Sequence, residues 1–97
     1  MRYDFAWDPN KAKGNRIKHG VNFEQAATVF QDPRAATIYD DEHSDYEDRW
    51  ITLGVSSSGG LITVFHTFNE IDNEHAQIRI FSCRKATDEQ KQQYTED

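Results

Sequence analysis

Apolar residues recur along this chain with two different periods, and the changes between them mark its elements. Tyr3, Phe5 and Trp7 fall on one parity, which predicts a short first strand from Arg2 to Trp7. Asp8-Pro9 then signals a helix start. Asp8 can cap free backbone N–H groups, and proline fits the first turn because its missing N–H costs nothing there. The predicted helix runs from about Pro9 to Lys18, followed by His19 and by Gly20 as a left-handed terminator. It is a polar helix: Ala12 and Ile17 are almost its only apolar residues, and Gly14 lowers its intrinsic stability by about 1 kcal/mol relative to Ala. Trp7, Val21 and Phe23 on its flanks must hold it in place. A second helix follows, with Asn22 as cap. Phe23, Ala26, Ala27 and Phe30 stand at i, i+3, i+4 and i+7, a single core-facing stripe, and Asp32-Pro33 ends it.

From residue 35 the period shortens to two. Ala35–Tyr39 reads as a second strand, Asp40–Asp48 as an acidic loop, and Arg49–Ser56 as a third strand with Ile51, Leu53 and Val55 on one face. Ser57-Ser58-Gly59-Gly60 is a hairpin turn. Leu61–Phe68 is nearly continuous in apolar and β-branched residues, so it reads as a central strand. Asn69–Glu74 is a polar turn, His75–Cys83 a fifth strand, and Thr87 caps a last helix from about Asp88 to Tyr94, with Gln90 in the capping-box position. The expectation is one α+β domain over residues 1–97: a twisted, mainly antiparallel sheet with helices packed on one face.

Composition narrows the function classes. Twelve aromatic residues compensate for a hydrophobic content of 36% in building a core. The single Cys83 excludes an intramolecular disulfide and a multi-cysteine zinc site. No signal-peptide pattern and no apolar run long enough to cross a bilayer is present, so a soluble cytoplasmic protein without a membrane partner is expected. The net charge of −6 argues against indiscriminate nucleic-acid binding, but the charge is segregated. Residues 1–20 carry five Lys/Arg against two Asp, whereas residues 21–48 carry eight acids against one Arg. This suits one anion-facing surface and a separate surface for a basic partner.

Four groups could carry chemistry: Lys11, Asn15, Lys18 and His19 on and beside one face of the first helix; His43, Glu47 and Arg49 ahead of the third strand; His66 in the central strand; and Arg79, Arg84 and Lys85 near the last strand. Each has an ordinary reading. Lys18 and His19 oppose the helix dipole. Lys11 is a solvated charge, and Asn15 joins two elements by a hydrogen bond. Glu47 belongs to an ion pair, Arg49 pairs with Glu47 or Asp48, His43 belongs to a turn, and His66 is a satisfied core histidine. Simple alternation places Arg79 and Arg84 on opposite faces, so they converge only if the strand bulges or ends before Arg84. The histidines have no metal-ligand spacing, and no phosphate-cradling glycine loop, nucleophile elbow or His-Glu-x-x-His is present.

The segment WDPNKAKGNRIKHGVNFEQAATVFQDP resembles the opening signature of the BrnT toxins. HSDYEDRWITLG, LITVFHTF and IRIFSCRKAT follow in that family's order, ahead of a closing helix. The resemblance covers residues 5–94. It implies a RelE-like fold and a growth-arresting ribonuclease toxin of a type II toxin–antitoxin system that needs no cofactor. It further implies a BrnA-like antitoxin that binds the toxin in a heterotetramer or larger complex and alone contacts operator DNA. RNA cleavage without metal needs a base, an acid, and cations for the charge building on the phosphorane. The catalytic candidates are then Arg49, Arg79, Glu47 and His19, with His43 or His66 as alternative bases. Lys18, Arg84, Lys85, Lys11 and Asn15 are the substrate-binding candidates. A reading of another class fits the acidic charge: a non-catalytic module that holds a DNA-binding partner.

Overall fold

Asp8 accepts a hydrogen bond from the Asn10 amide, Pro9 takes the first helical position, and Gly20 closes the helix in the left-handed conformation at φ 71°. These local signals set α1 (Pro9–His19), which follows β1 (Arg2–Ala6). Asn22 and Gln25 form a reciprocal capping box at the start of α2 (Phe23–Thr28). The stripe that predicted one helix to Phe30 instead tightens at Val29–Gln31 into a 3₁₀ turn, closed by Asp32 N–H on the Val29 carbonyl. The remaining elements are β2 (Ala36–Tyr39), a 3₁₀ turn at Asp41–His43, β3 (Trp50–Val55), β4 (Leu61–His66), β5 (Asn69–Glu70), β6 (His75–Lys85) and α3 (Asp88–Thr95). The structure, a computed structural model, describes residues 1–95.

The sheet is mixed, in the order β1-β6-β4-β3-β2. β1 lies parallel to β6 and the other pairs are antiparallel. The two N-terminal helices therefore carry the chain from one sheet edge to the other, and the strands return in a meander. The polar turn expected at Asn69–Glu74 contains a two-residue strand, β5, which pairs with β6 opposite Gln77 and Ala76.

α2 and its 3₁₀ turn lie on one face, over Ile62, Val64, Ile78, Ile80 and Cys83, and Val21, Phe23, Ala26 and Val29 complete the buried core. β3 contributes its small residues there. A Cβ on Gly54 would stand 2.8 Å from Val29 Cγ1 and 3.1 Å from Ala35 Cβ, so only glycine fits. Ile51, Leu53 and Val55 do share a face, but it is the second one, where they are half-buried.

The expectation of all helices on one face is corrected in the same way. After Ala86 donates to the Leu61 carbonyl, α3 crosses to the second face, where Gln90 accepts a hydrogen bond from Thr63 and caps its own helix through Thr87. Tyr94 anchors the end of α3 by donating to Asp32, which also accepts from the Val55 and Arg34 amides. Partial burial works against the Asp32 charge. The hydrogen bonds from Tyr94, Val55 and Arg34, with the charge of Arg34, outweigh it and hold the carboxyl below its usual range.

Candidate active site

One extra residue in β6 creates the site. Thr63 pairs with Arg84 and Phe65 with Ser82, yet His66 pairs with Ile80, so Phe81 is unmatched. The bulge reverses the alternation beyond it. Arg79, Phe81, Ser82 and Arg84 all reach the second face, while Ile80 and Cys83 both stay in the core. Arg79 and Arg84 thus share a face, through the bulge that their convergence required.

Phe81 is the centre of a cationic cluster. The Arg49 guanidinium carbon stands 4.0 Å from its ring centroid, that of Arg79 4.9 Å, and Lys11 Nζ reaches it from α1 at 5.9 Å. Cations over an aromatic face are attracted by the ring quadrupole. Glu47 supplies the counter-charge: its Oε1 accepts from Arg79 Nη2 at 2.6 Å and from Arg49 Nη2 at 3.4 Å. Arg84 stands one ring further on, with its guanidinium carbon 5.6 Å from the Phe65 centroid and Nη1 donating to Gln90. Among the described residues, Arg49 Nε is the one buried side-chain polar atom without a hydrogen-bond partner.

The acidic loop positions Arg49 and brings a histidine to it. Ser44 donates its hydroxyl hydrogen to the Asp40 carbonyl and accepts from the Arg49 amide, and the Asp40 amide donates to the Arg49 carbonyl. The buried Asp40 carboxylate lies 2.9 and 3.1 Å from His43 Nδ1. An imidazole that donates Nδ1–H to a carboxylate leaves Nε2 as its acceptor. His43, whose side chain is 58% exposed, joins Asp40, Arg49, Phe65, Phe81 and Ser82 around a cavity of about 260 Å³.

Other candidates lie elsewhere. Asn15 is buried, and its amide is fully used: Oδ1 accepts from the Cys83 amide and the Ser82 hydroxyl, and Nδ2 donates to the Cys83 and Val21 carbonyls. It completes the β6 edge where β1 has ended, so no hydrogen-bonding capacity remains for a substrate, and the substrate-binding assignment gives way to the inter-element one. Lys18 and His19 stand seven and eight residues beyond Lys11 on α1, about 10–12 Å along the axis. That distance separates His19 from the cluster it was expected to serve as base. Lys85 takes the opposite parity to Arg84 and lines a different hollow with Gly20, Gln25 and Lys91. His66 is a core residue: Nδ1 donates to the Thr67 carbonyl, Nε2 meets Thr52 Oγ1 at 2.7 Å, and burial pushes its pKa down.

The residues that sequence reading underused are Phe81, Phe65 and Asp40. An Asp-x-x-His spacing at Asp40–His43 was the available signal; for the two phenylalanines there was none without the register. Among the described residues no group of three or more His, Cys, Asp or Glu side chains is placed to hold a metal ion.

Comparison with known proteins adds an independent line. A family model described as "Ribonuclease toxin, BrnT, of type II toxin-antitoxin system" matches residues 7–90. The fold is similar to the crystal structure of the Brucella abortus ribonuclease toxin BrnT, with a TM-score of 0.59 and 21% sequence identity, covering 90% of this chain and 99% of that one. No curated protein matches the chain.

Proposed function

Because this chain belongs to the BrnT family of ribonuclease toxins of type II toxin–antitoxin systems, we propose that the cationic face around Phe81 cleaves RNA without a metal ion and so arrests growth. The observation that carries this reading is the convergence of Arg49, Arg79 and Lys11 on one ring, with a buried Arg49 N–H left unpartnered beside His43. Such an N–H is satisfied when a phosphate oxygen enters, and guanidinium groups suit that role because they stay protonated and grip phosphate with two donors. His43 Nε2 takes the proton of a ribose 2′-hydroxyl, whose oxygen attacks the adjacent phosphorus. Asp40 steadies the imidazolium that forms. Arg49 and Arg79 hold the charge gathering on the phosphorane oxygens, and the departing 5′-oxygen takes a proton from solvent. Glu47 serves as an arm that spaces the two arginines, since both already donate to it.

The same reading assigns the chain a RelE-like architecture and a BrnA-like antitoxin as its inhibitor, in a heterotetramer or larger complex that meets operator DNA through the antitoxin. The acidic segment Asp40–Asp48 supplies the surface for a basic partner.

The test is induced expression of the wild type, Arg79→Ala, Arg49→Ala and His43→Ala, reading growth and total RNA integrity, with folding checked by circular dichroism. The wild type is expected to stop growth and degrade RNA. Each variant should lose both, with the histidine change costing on the order of 10²-fold or more in cleavage by purified protein in EDTA. Folded variants that remain toxic would place the site elsewhere. Intact RNA from a folded wild type would leave a non-catalytic module that holds its partner.

A further inference from the structure

β6 carries the second face beyond the cationic cluster, and the sheet there forms a second hollow. Gln77 stands two residues before Arg79 and so projects to the same face. Asn69 of β5 lies directly opposite it in the ladder. Together with Ala6, Glu47, Asp48, Thr67, Phe68 and Arg79, these residues line a cavity of about 480 Å³. Glu47 and Arg79 therefore belong to both the cluster and this hollow, and a phosphate on Arg79 places the neighbouring nucleotide at its mouth.

The lining has the chemistry of base recognition. Gln77 and Asn69 each offer a side-chain carbonyl and an NH₂ group, and neither side chain makes a hydrogen bond to another described residue. Two amides side by side present the donor and acceptor pattern that reads the edge of a base. Single-stranded RNA leaves the Watson–Crick edge of a base free for such a pair, whereas in a duplex that edge is taken by the partner base.

We propose that this hollow is a nucleobase subsite in which Gln77 and Asn69 read the edge of the base next to the cleaved bond. The inference rests on the ribonuclease reading and adds the residues that determine its sequence preference. Because the pair is built from neutral amides, exchanging one for an acid alters which edges it accepts without adding a cation to the phosphate site.

The experiment is transcript-wide mapping of cleavage ends in cells after induced expression of the wild type, Gln77→Ala, Asn69→Ala and Gln77→Glu, with folding confirmed by thermal melts of the purified proteins. The wild type is expected to show a base preference at one nucleotide flanking the cut. Each alanine variant should lower the ratio of preferred to non-preferred cleavage about tenfold, and Gln77→Glu, which only accepts hydrogen bonds, should shift the favoured base. A preference unchanged in all three folded variants, or no preference in the wild type, overturns the subsite while the ribonuclease reading stands. Absence of any cleavage by the wild type overturns both.

Discussion

Replacement of Asn15 by alanine tests how this domain is held together. The side chain makes five hydrogen-bond contacts, one of them to the Cys83 sulfur, and two of them go to the N–H and C=O of Cys83, on the β6 edge that β1 no longer covers. Alanine leaves both groups without these partners inside the protein, together with the Val21 carbonyl that Nδ2 also served. A buried backbone group left unpaired costs about 1–3 kcal/mol. Ser82 is part-buried and can turn to water, so the Cys83 pair dominates and the loss comes to about 3–5 kcal/mol. Against a total stability on the order of 5–15 kcal/mol, that is a large share. In a domain of this size it lowers Tm by about 12–25 °C. Asn15→Asp separates the contributions. It keeps the acceptor for the Cys83 amide but has no donor for the two carbonyls, and so should cost at least as much. Urea titrations followed by circular dichroism measure both. A loss below about 1 kcal/mol in Asn15→Ala would refute the edge-completing role and return Asn15 to the pool of substrate-binding side chains.

Two further outcomes follow from the packing. Gly54→Ala should cost about 1–3 kcal/mol through the clash with Val29 and Ala35, whereas Gly60→Ala, which meets nothing within 4 Å, should change stability by only a few tenths of that; equal urea midpoints for the two would contradict the contact. His66 should make stability fall as the pH drops. Its folded pKa lies below the ordinary 6.5, so the unfolded chain takes up the proton first, and stability is lost from about pH 6.5 down to the folded value, at no more than about 1.4 kcal/mol per pH unit. Urea midpoints at pH 7.5 and 5.5 check this, and a His66→Gln variant with the same drop as the wild type would remove His66 as its source.

Local signals carried most of the element boundaries. Asp8-Pro9, Gly20, Asn22 and the Thr87–Gln90 pair each fold as their neighbours in sequence dictate, because a cap is a contact within one turn. The site was legible only in its parts. Arg49, Arg79 and Glu47 stand together, but the ring they gather on depends on a register shift between β4 and β6, and register belongs to a pair of strands. The same reason put Ile51, Leu53 and Val55 on the less covered side: alternation shows that they share a face and is silent on which face α2 will cover. Asn15 looked available because it sits on a polar helix. Its partner, Cys83, is 68 residues away. His19 was separated from the cluster by helix length alone, while His43 was brought to it by a turn whose Asp-x-x-His spacing was visible but carried equally well a capping role.

The unmatched Phe81 also limits how the length of this chain can change. Removal of Phe81 would leave Cys83 in the core and Arg79 and Arg84 on one face, but would exchange the ring under the arginines for the small Ser82 hydroxyl. The turn at Ser57–Gly60, whose residues are exposed, can lengthen without such an exchange. In β6 a deletion that spares every charged group can still dismantle the cluster.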